Sequence, residues 1–118
     1  MLFRSDPAHP NRLYLAVGTY AQSWASNGAI LRSEDRGATW TRTDLTVKLG
    51  GNEDGRGAGE RLLVDPRDSD TLWLGTRHDG LLKSTDRGAT WAAGGGFPAT
   101  ASASGQGVTF LVAVGRAV

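Results

Sequence analysis

The chain has 118 residues, of which 39% are apolar and 21% charged, and its net charge is +1. The absence of cysteine excludes a disulfide scaffold and a cysteine-ligated metal site, and the near-neutral charge argues against binding to nucleic acid. The 17 glycines and 4 tryptophans are typical of a globular protein built from short strands and tight turns.

The N-terminal residues contain no apolar stretch of signal-peptide length, so no signal peptide is predicted. No later run approaches the roughly 18 apolar residues of a membrane span. Short apolar and aromatic runs bounded by Gly, Pro, Asp and Asn predict β-strands, and no segment has sustained helical periodicity. The predicted strands are 12–17, 28–33, 39–43, 60–64, 71–76, 80–84, 90–92 and 107–114.

An eight-residue motif occurs twice. Residues 33–40 read Ser-Glu-Asp-Arg-Gly-Ala-Thr-Trp, and residues 84–91 repeat this motif, 51 positions later, with a single change of Glu to Thr. We call these segments the first box and the second box. Upstream of each box an Asp-Pro pair, Asp6-Pro7 or Asp65-Pro66, precedes an apolar strand. A period of about 50 residues with about four short strands per unit predicts an all-β fold, a β-propeller of which the chain holds about two four-stranded blades.

The repeat also suggests how the chain is divided. Blade one is predicted over about residues 5–45 and blade two over about residues 60–98. Residues 107–118 begin like the strand of a further blade and then stop, so they are either that start or an aberrant end. The whole chain, 1–118, is therefore predicted to be a partial β-propeller.

The box residues have the properties of a tight turn. Each aspartate can accept backbone N–H bonds, each glycine can adopt a positive φ, and each tryptophan starts the next strand and is expected to pack between sheets. We interpret the boxes as structural and not catalytic. Their structural residues are Ser33, Asp35, Gly37, Thr39 and Trp40 in the first box, and Ser84, Asp86, Gly88, Thr90 and Trp91 in the second.

The loop that follows the first predicted strand of blade one is long. Residues 18–27 occupy it, whereas residues 75–79 suffice in blade two. Loops that depart from a repeated scaffold often carry binding residues. Tyr20, Trp24 and Asn27 suit a sugar, whose apolar ring face stacks on aromatic rings while its hydroxyls meet amides. The alternative is a longer hairpin whose tryptophan folds back on the blade.

A glycine-rich stretch, residues 48–62, joins the two blades. It lacks the Gly-Lys-Ser/Thr ending of a phosphate loop, and no helix is predicted after it, so nucleotide binding is not expected. An ordered loop that brings Asn52, Arg56 and Arg61 toward a ligand is the preferred interpretation. For Arg61 the alternative is a structural ion pair between blades that also involves Glu60.

No catalytic residue, metal site or cofactor is predicted. His9 and His78 are about 70 positions apart without a third ligand at metal-binding spacing. No Ser-His-Asp arrangement stands out, and the loop carboxylates offer no particular acid/base pair.

The order of these features resembles glycoside hydrolase family 74, the xyloglucanases and related endoglucanases, in its first, N-terminal propeller domain. The similarity covers about residues 5–98 and lies in residues 6–20, in residues 27–33 leading into the first box, and in residues 48–66. The stretch from Lys48-Leu49-Gly50-Gly51-Asn52 to Gly59-Glu60-Arg61-Leu62 is the most specific part. The boxes alone resemble the Asp-box, or BNR repeat, which sialidases, sortilin-like receptors and photosystem assembly factors share.

This resemblance implies a secreted enzyme with two seven-bladed propellers and a substrate cleft between them. Such enzymes hydrolyse xyloglucan and related β-1,4-glucans with inversion, using one aspartate as acid and one as base. The family's Arg-Thr-Asp-x-Gly-Gly-like and Gly-Asp-x-Gly-Gly motifs, which carry that pair, do not occur in this sequence. The chain is therefore expected to be an inactive fragment whose partners are the polysaccharide, the remaining blades and the second propeller. The alternative is a non-catalytic Asp-box propeller that binds or assembles proteins.

Overall fold

The structure is a computed structural model that describes residues 2–52 and 61–94. In this part of the chain, eight strands form two four-stranded antiparallel sheets, which we call blade 1 and blade 2. The prediction of an all-β fold with two four-stranded blades is confirmed. Blade 1 consists of β1 (Leu2–Asp6), β2 (His9–Val17), β3 (Ala29–Ser33) and β4 (Thr41–Asp44). Blade 2 consists of β5 (Leu62–Val64), β6 (Leu72–Gly75), β7 (Leu81–Ser84) and β8 (Ala92–Ala93).

The sequence pattern did not predict strand β1. Its counterpart β5 reads Leu-Leu-Val, an obvious strand, whereas β1 carries Arg4 and Ser5 at the matching positions. Pairing with β2 nevertheless forms it, with Phe3 opposite Leu15 and Arg4 opposite Tyr14. Every other described strand overlaps a predicted one. The strand predicted over 107–114 lies outside the described residues.

Both Asp-Pro pairs form the turns between the first two strands of their blades. Asp6 Oδ1 accepts the Ala8 N–H at 2.9 Å, and Asp65 Oδ1 accepts the Arg67 N–H at 2.9 Å. Both aspartates are buried. The side chain of each therefore satisfies a turn amide that would otherwise lack a partner.

The hydrophobic core lies between the two blades. Along each strand the side chains alternate between the two faces of the sheet, so one face of each blade can bury its apolar residues against the other. Tyr14 and Ile30 of blade 1 are buried in the same cluster as Leu72 and Leu74 of blade 2. Burial of each such side chain contributes about 1.5–3 kcal/mol, and this contribution holds the blades together.

The strand register separates two ends of the molecule. Leu13 of β2 pairs with Ser33, so the boxes and the Asp-Pro turns lie at one end, the box end. Val17 pairs with Ala29, which places the β2–β3 loop at the opposite end, the loop end. Residues 45–52 and the β6–β7 turn lie there too. None of the described residues forms a helix long and apolar enough to cross a membrane.

Candidate functional site

The aspartate of each box organises a hydrogen-bonded turn. In the first box Asp35 Oδ1 accepts the Thr39 N–H at 2.8 Å and the Ser33 hydroxyl at 2.8 Å, while Oδ2 accepts the Thr39 hydroxyl at 2.5 Å. Ser33 Oγ in turn accepts the Gly37 N–H, and Trp40 Nε1 donates to the Gly37 carbonyl. The second box repeats each of these bonds. The turn uses both oxygens of its carboxylate.

These bonds lower the pKa of Asp35 and of Asp86 to about 2. The largest cause in each box is the threonine hydroxyl, at Thr39 or Thr90, followed by the backbone N–H of the same threonine. A carboxylate that remains ionised and accepts three hydrogen bonds from its own turn is a poor general acid. The geometry of the boxes is that of a structural turn.

The arginine of each box has a structural role that the sequence did not indicate. Arg36 and Arg87 adopt left-handed backbone conformations, with φ of 58° and 59°, next to glycines that also have positive φ. Arg36 donates from its backbone to the Asn11 carbonyl at 3.0 Å and from Nε to Asn11 Oδ1 at 2.7 Å. Arg87 binds Asp70 in the same two ways. These bonds offset the backbone strain of a non-glycine residue at positive φ.

The two box tryptophans differ in burial. Trp91 packs against the core between the blades, in the position expected for a ring between sheets. Trp40 was expected to do the same, but its side chain is 40% exposed. The reason is the position of its ring, which lies beside Gly37 and near Leu13, on the side of blade 1 that points away from blade 2.

A cleft of about 610 Å³ lies at the box end between the blades. Arg87, Glu34 and Asp70 line it and pair with one another, with 2.8 Å from Arg87 Nη1 to Glu34 Oε1 and 3.1 Å from Arg87 Nε to Asp70 Oδ1. These three charges are thus engaged across the interface, whereas Arg32, which also lines the cleft, has a buried Nε without a hydrogen-bond partner. Tyr14, the aromatic residue of the lining, is buried, so the cleft is a weaker candidate than the loop end for a ligand that stacks on aromatic rings.

The loop end carries an exposed pair of aromatic rings. Tyr20 and Trp24 lie with their ring centroids 5.2 Å apart and their planes tilted by 49°. The Trp24 side chain is 71% exposed, so it contacts Tyr20 without folding back on the blade. A short turn, in which the Ala25 N–H donates to the Gln22 carbonyl at 2.9 Å, brings the two rings together. The β2–β3 loop thus presents an amphipathic aromatic surface to solvent.

A lysine that the sequence reasoning did not single out braces this loop. Lys48 Nζ donates to the Ala25 carbonyl at 2.5 Å and to Asn27 Oδ1 at 3.2 Å. The only signal in the sequence was its place at the start of the glycine-rich stretch. Because the side-chain oxygen of Asn27 already accepts a hydrogen bond from Lys48 Nζ, the side-chain amide nitrogen is the group that a ligand could contact.

Two glycines let the segment after β4 pack closely on the loop. A Cβ atom at Gly18 would lie 2.4 Å from the Leu49 carbonyl oxygen, and one at Gly28 would lie 2.5 Å from Leu49 Cγ. Asn52 joins the same support, since its N–H donates to the Thr19 carbonyl at 2.6 Å. Three of the predicted binding residues of the loop end, Trp24, Asn27 and Asn52, therefore belong to one braced unit.

Arg61 lies directly before β5, with only 9% of its surface exposed. Its Nε is buried without a hydrogen-bond partner, and burial, followed by the charge of Arg77, lowers its pKa. Arg61 and Arg77 border a small cavity of about 20 Å³ next to Gly18 and Gly51. The sequence patterns did not indicate that Arg77 lies at this site. The ion pair proposed above involves Glu60, which lies outside the described residues, as does Arg56.

The described residues hold no group of three or more His, Asp or Glu side chains that could bind a metal ion. What the loop end offers is an exposed aromatic pair, amide groups and a buried arginine. Exposed rings and amides are the groups that suit a hydroxyl-rich ligand, through stacking and hydrogen bonding.

The comparisons with known proteins agree on one group of enzymes. The chain is 56% identical over 96 residues to a xyloglucanase of Paenibacillus sp, covering 80% of this chain and 9% of that protein. It is 47% identical over 107 residues to an oligoxyloglucan-reducing end-specific xyloglucanase of Emericella nidulans, covering 91% of this chain and 13% of that protein. No family model matches the chain.

A solved structure gives the same result for the fold. The GH74 xyloglucanase of Xanthomonas campestris superposes with a TM-score of 0.83 and 46% identity, over 94% of this chain and 17% of that one. The chain thus spans about a tenth of the length of the curated relatives it matches and about a sixth of this structural relative.

Proposed function

We propose that this chain, whose sequence and fold are those of a segment of glycoside hydrolase family 74, forms part of the substrate-binding cleft of a xyloglucan-active enzyme. The family assignment rests on the sequence and structural matches described above. The activity is a proposal for the longer enzyme, because the chain spans only a small share of its relatives. That enzyme is an inverting, extracellular hydrolase of xyloglucan or a related β-1,4-glucan.

The observation that carries the proposal is the exposed pair of Tyr20 and Trp24 at the loop end. A tryptophan with 71% of its side chain exposed leaves a large apolar ring in water unless a ligand covers it. The faces of pyranose rings are apolar and flat, and they match such a ring. Two rings tilted by 49° can follow a twisted polysaccharide chain better than one flat platform can.

The amide groups near these rings supply the polar half of the interaction. Asn27 and Asn52 are both exposed and both held in place through neighbouring groups, Lys48 and the Thr19 carbonyl. Sugar hydroxyls both donate and accept, so an amide is a suitable partner. A loop that is already braced loses little conformational entropy when the ligand binds.

Arg61 has a supporting role beneath the loop end. Its guanidinium is mostly buried beneath the loop end, and it borders the small cavity next to Gly18. From there it supports the cleft floor and can offer a donor to a sugar hydroxyl at the cavity mouth. Arg56 belongs to the same proposed set, although it lies outside the described residues.

Catalysis is assigned to other parts of the longer enzyme. Inverting hydrolysis needs an acid and a base that are about 6.5–9.5 Å apart. The box aspartates are committed to their turns, and no carboxylate accompanies the aromatic pair among the binding residues described above. We therefore expect the purified 118-residue chain to bind xyloglucan oligosaccharides weakly and to release no sugar from xyloglucan.

Titration of the 118-residue chain with xyloglucan oligosaccharides, followed by the NMR shifts of the tryptophan indole N–H groups, tests the proposal. The Trp24 signal should shift with ligand while that of Trp40, at the box end, should not. Trp24→Ala should weaken binding by about two- to twelvefold, given the usual value of an aromatic contact. Phe3→Ala, which removes another exposed ring that lies on β1 and not in the loop, is the matched control.

A chimera tests the proposal in an intact enzyme. The matching 96-residue segment of the Paenibacillus xyloglucanase is replaced by the corresponding residues of this chain. Retained hydrolysis of xyloglucan, with a raised KM after Trp24→Ala, supports a cleft role. A folded chimera that no longer binds xyloglucan would favour the alternative, a non-catalytic propeller segment that binds or assembles proteins.

A further inference from the structure

Three side chains with polar ends form a row across blade 1, in the cleft of about 610 Å³ that we now call the box-end cleft. The register places Tyr14 of β2 opposite Arg32 of β3, and Arg32 opposite Thr41 of β4. Directly paired residues of an antiparallel sheet share one face, with Cβ atoms about 4.5–5.5 Å apart. All three line the cleft between the blades, so this row is on the face of blade 1 that points toward blade 2.

Arg32 reaches from this row toward the second blade. Its Cδ atom lies 3.4 Å from the position of a Cβ added at Gly88, so its aliphatic stem packs beside the second box. Its Nε is buried without a hydrogen-bond partner, and within the described residues its guanidinium pairs with no carboxylate. A charge that is partly removed from water and left unpaired costs free energy, so an anionic group in the cleft would stabilise it.

The acidic residues of the box-end cleft are already engaged with other partners. Glu34 and Asp70 both bind Arg87, at 2.8 and 3.1 Å. Asp86 accepts three hydrogen bonds from its own turn. These carboxylates therefore leave the charge of Arg32 uncompensated. They also repel added negative charge, so a ligand with a single charge is favoured over a dianion.

Hydroxyl groups surround the unpaired guanidinium. Tyr14, Thr41 and Thr85 line the cleft, and their hydroxyls form no hydrogen bond with any other described residue. Burial raises the pKa of Tyr14, so its hydroxyl stays protonated and can donate. Because a hydroxyl both donates and accepts, these groups match a ligand that carries hydroxyls itself.

We propose that the box-end cleft binds an acidic sugar, with the carboxylate of the ligand on Arg32 and its ring hydroxyls on Tyr14, Thr41 and Thr85. A planar guanidinium suits a planar carboxylate, which it can bind through two parallel hydrogen bonds. The volume of the cleft falls within the roughly 300–1,000 Å³ of small-molecule sites. The site is at the opposite end of the blades from the aromatic pair, so it does not depend on the function proposed for the loop end.

Titration of the 118-residue chain with glucuronate at constant ionic strength tests the proposal. The NMR signals of the Arg32 Nε–H and the Thr85 amide should shift with ligand and saturate, while the Trp24 indole signal should not move. An absence of saturable shifts at Arg32 would overturn the proposal. Shifts confined to Trp24 would overturn it as well, because they would place the acidic sugar at the loop end.

Three comparison ligands separate the two halves of the interaction. Glucose lacks the carboxylate, acetate lacks the hydroxyls, and phosphate is a dianion at mildly alkaline pH. Each should bind at least about tenfold more weakly than glucuronate, since a hydrogen bond to a charged group contributes about 1.5–3 kcal/mol and several neutral ones contribute as much together. Glucose that binds as well as glucuronate would contradict the role of Arg32. Equally tight acetate would contradict the role of the hydroxyls.

Arg32→Met removes the guanidinium and keeps an unbranched stem beside Gly88. It should weaken glucuronate binding by at least about tenfold and leave glucuronate no better a ligand than glucose. Arg42→Gln is the matched control, because Arg42 is an exposed arginine that follows Thr41 in β4 and points to the other face of the sheet. It should bind glucuronate like the parent chain. Unchanged binding in Arg32→Met would overturn the proposal.

Tyr14→Phe removes a single hydroxyl and keeps the aromatic ring in the core between the blades. Loss of one hydrogen bond should weaken glucuronate binding by about two- to twelvefold. Circular dichroism and urea unfolding check that this variant and Arg32→Met are folded. A folded Tyr14→Phe variant that binds glucuronate as tightly as the parent would contradict the position proposed for the ligand.

Discussion

Arg87 Nη1 in the second box lies 2.8 Å from Glu34 Oε1 in the first box, across the interface between the blades. The same guanidinium binds Asp70 of its own blade through Nε at 3.1 Å. One box is thereby tied to the turn of its own blade and to the box of the preceding blade. The repeated motif thus has a function beyond the local turn: it links neighbouring repeats at their box ends.

Glu34→Gln should therefore lower the urea concentration at which the chain unfolds, but only slightly. Both partners are partly exposed, so water and salt screen the pair. The loss should be largest at low ionic strength and should vanish near 1 M NaCl, where the Debye length is about 3 Å. Unfolding curves at several salt concentrations measure it. A loss that does not depend on salt would show that packing, and not charge, gives Glu34 its role.

The box aspartates should make stability depend on acid pH. In the folded chain the pKa of Asp86 is about 2, whereas an unfolded aspartate titrates near 3.9. The folded state thus binds the proton less readily, so the stabilisation is complete above about pH 4 and is lost as the pH falls toward about 2. Asp86→Asn should be less stable at pH 7 and should lose less stability between pH 4 and pH 2. Denaturant unfolding across that range provides the comparison.

Asp35→Asn in the first box provides a parallel test of the same effect. The pKa of Asp35 is also about 2, with the Thr39 hydroxyl as its largest cause, so the two variants should flatten the pH profile alike. A profile that keeps its full acid dependence in both variants would contradict the role assigned to the boxes.

Two leucines at matching positions should differ in their contribution to stability. Leu74 is fully buried between the blades, and Leu74→Ala should cost about 2–5 kcal/mol in the free energy of unfolding, through lost burial and a cavity. Leu15, its counterpart in blade 1, is only half-buried, and Leu15→Ala should cost less than about 1.5 kcal/mol. Urea unfolding at low protein concentration tests the difference, and equal losses would argue against the burial described here.

The close contact between Gly18 and Leu49 predicts a steric effect at the loop end. An added Cβ would lie 2.4 Å from the Leu49 carbonyl oxygen, a backbone atom that cannot rotate away. Gly18→Ala should therefore destabilise the chain by about 1–3 kcal/mol, as overpacking usually does, and should weaken oligosaccharide binding by displacing the braced loop. Ser26→Ala, at an exposed position of the same loop, is the control. Unchanged stability and binding in Gly18→Ala would show that the brace is not needed.

Much of the fold could be predicted because it is encoded locally. The Ser-x-Asp-Arg-Gly-Ala-Thr-Trp motif contains, within eight residues, every side-chain and backbone group that hydrogen-bonds its aspartate, so the turn can be recognised from the local sequence. Apolar alternation next to the boxes and the Asp-Pro turns indicated most of the strands. Strand β1 is the exception, since Arg4 and Ser5 hide its strand character and only pairing with β2 reveals it.

The candidate site was predictable only in part. The different lengths of the two matching loops indicated Tyr20, Trp24 and Asn27 as binding residues, because a loop that interrupts a repeat is visible in the sequence itself. Lys48 and Arg77 were missed, since their roles depend on contacts between segments that are far apart in sequence. No local pattern distinguishes a lysine that braces a loop from one that is merely solvated.

By itself, then, the sequence determined the two boxes, the number of blades and the resemblance to glycoside hydrolase family 74, because turns and repeats are properties of short segments. Only the tertiary structure decided which of two equivalent rows is buried: Leu62, Leu74 and Leu82 lie against a neighbouring blade, while Phe3, Leu15 and Leu31 do not. The tertiary structure also decided that Arg87 meets Glu34 across 53 residues of sequence. The physical reason is that burial and ion pairing depend on which surfaces meet in space, and that information is not present in any single repeat.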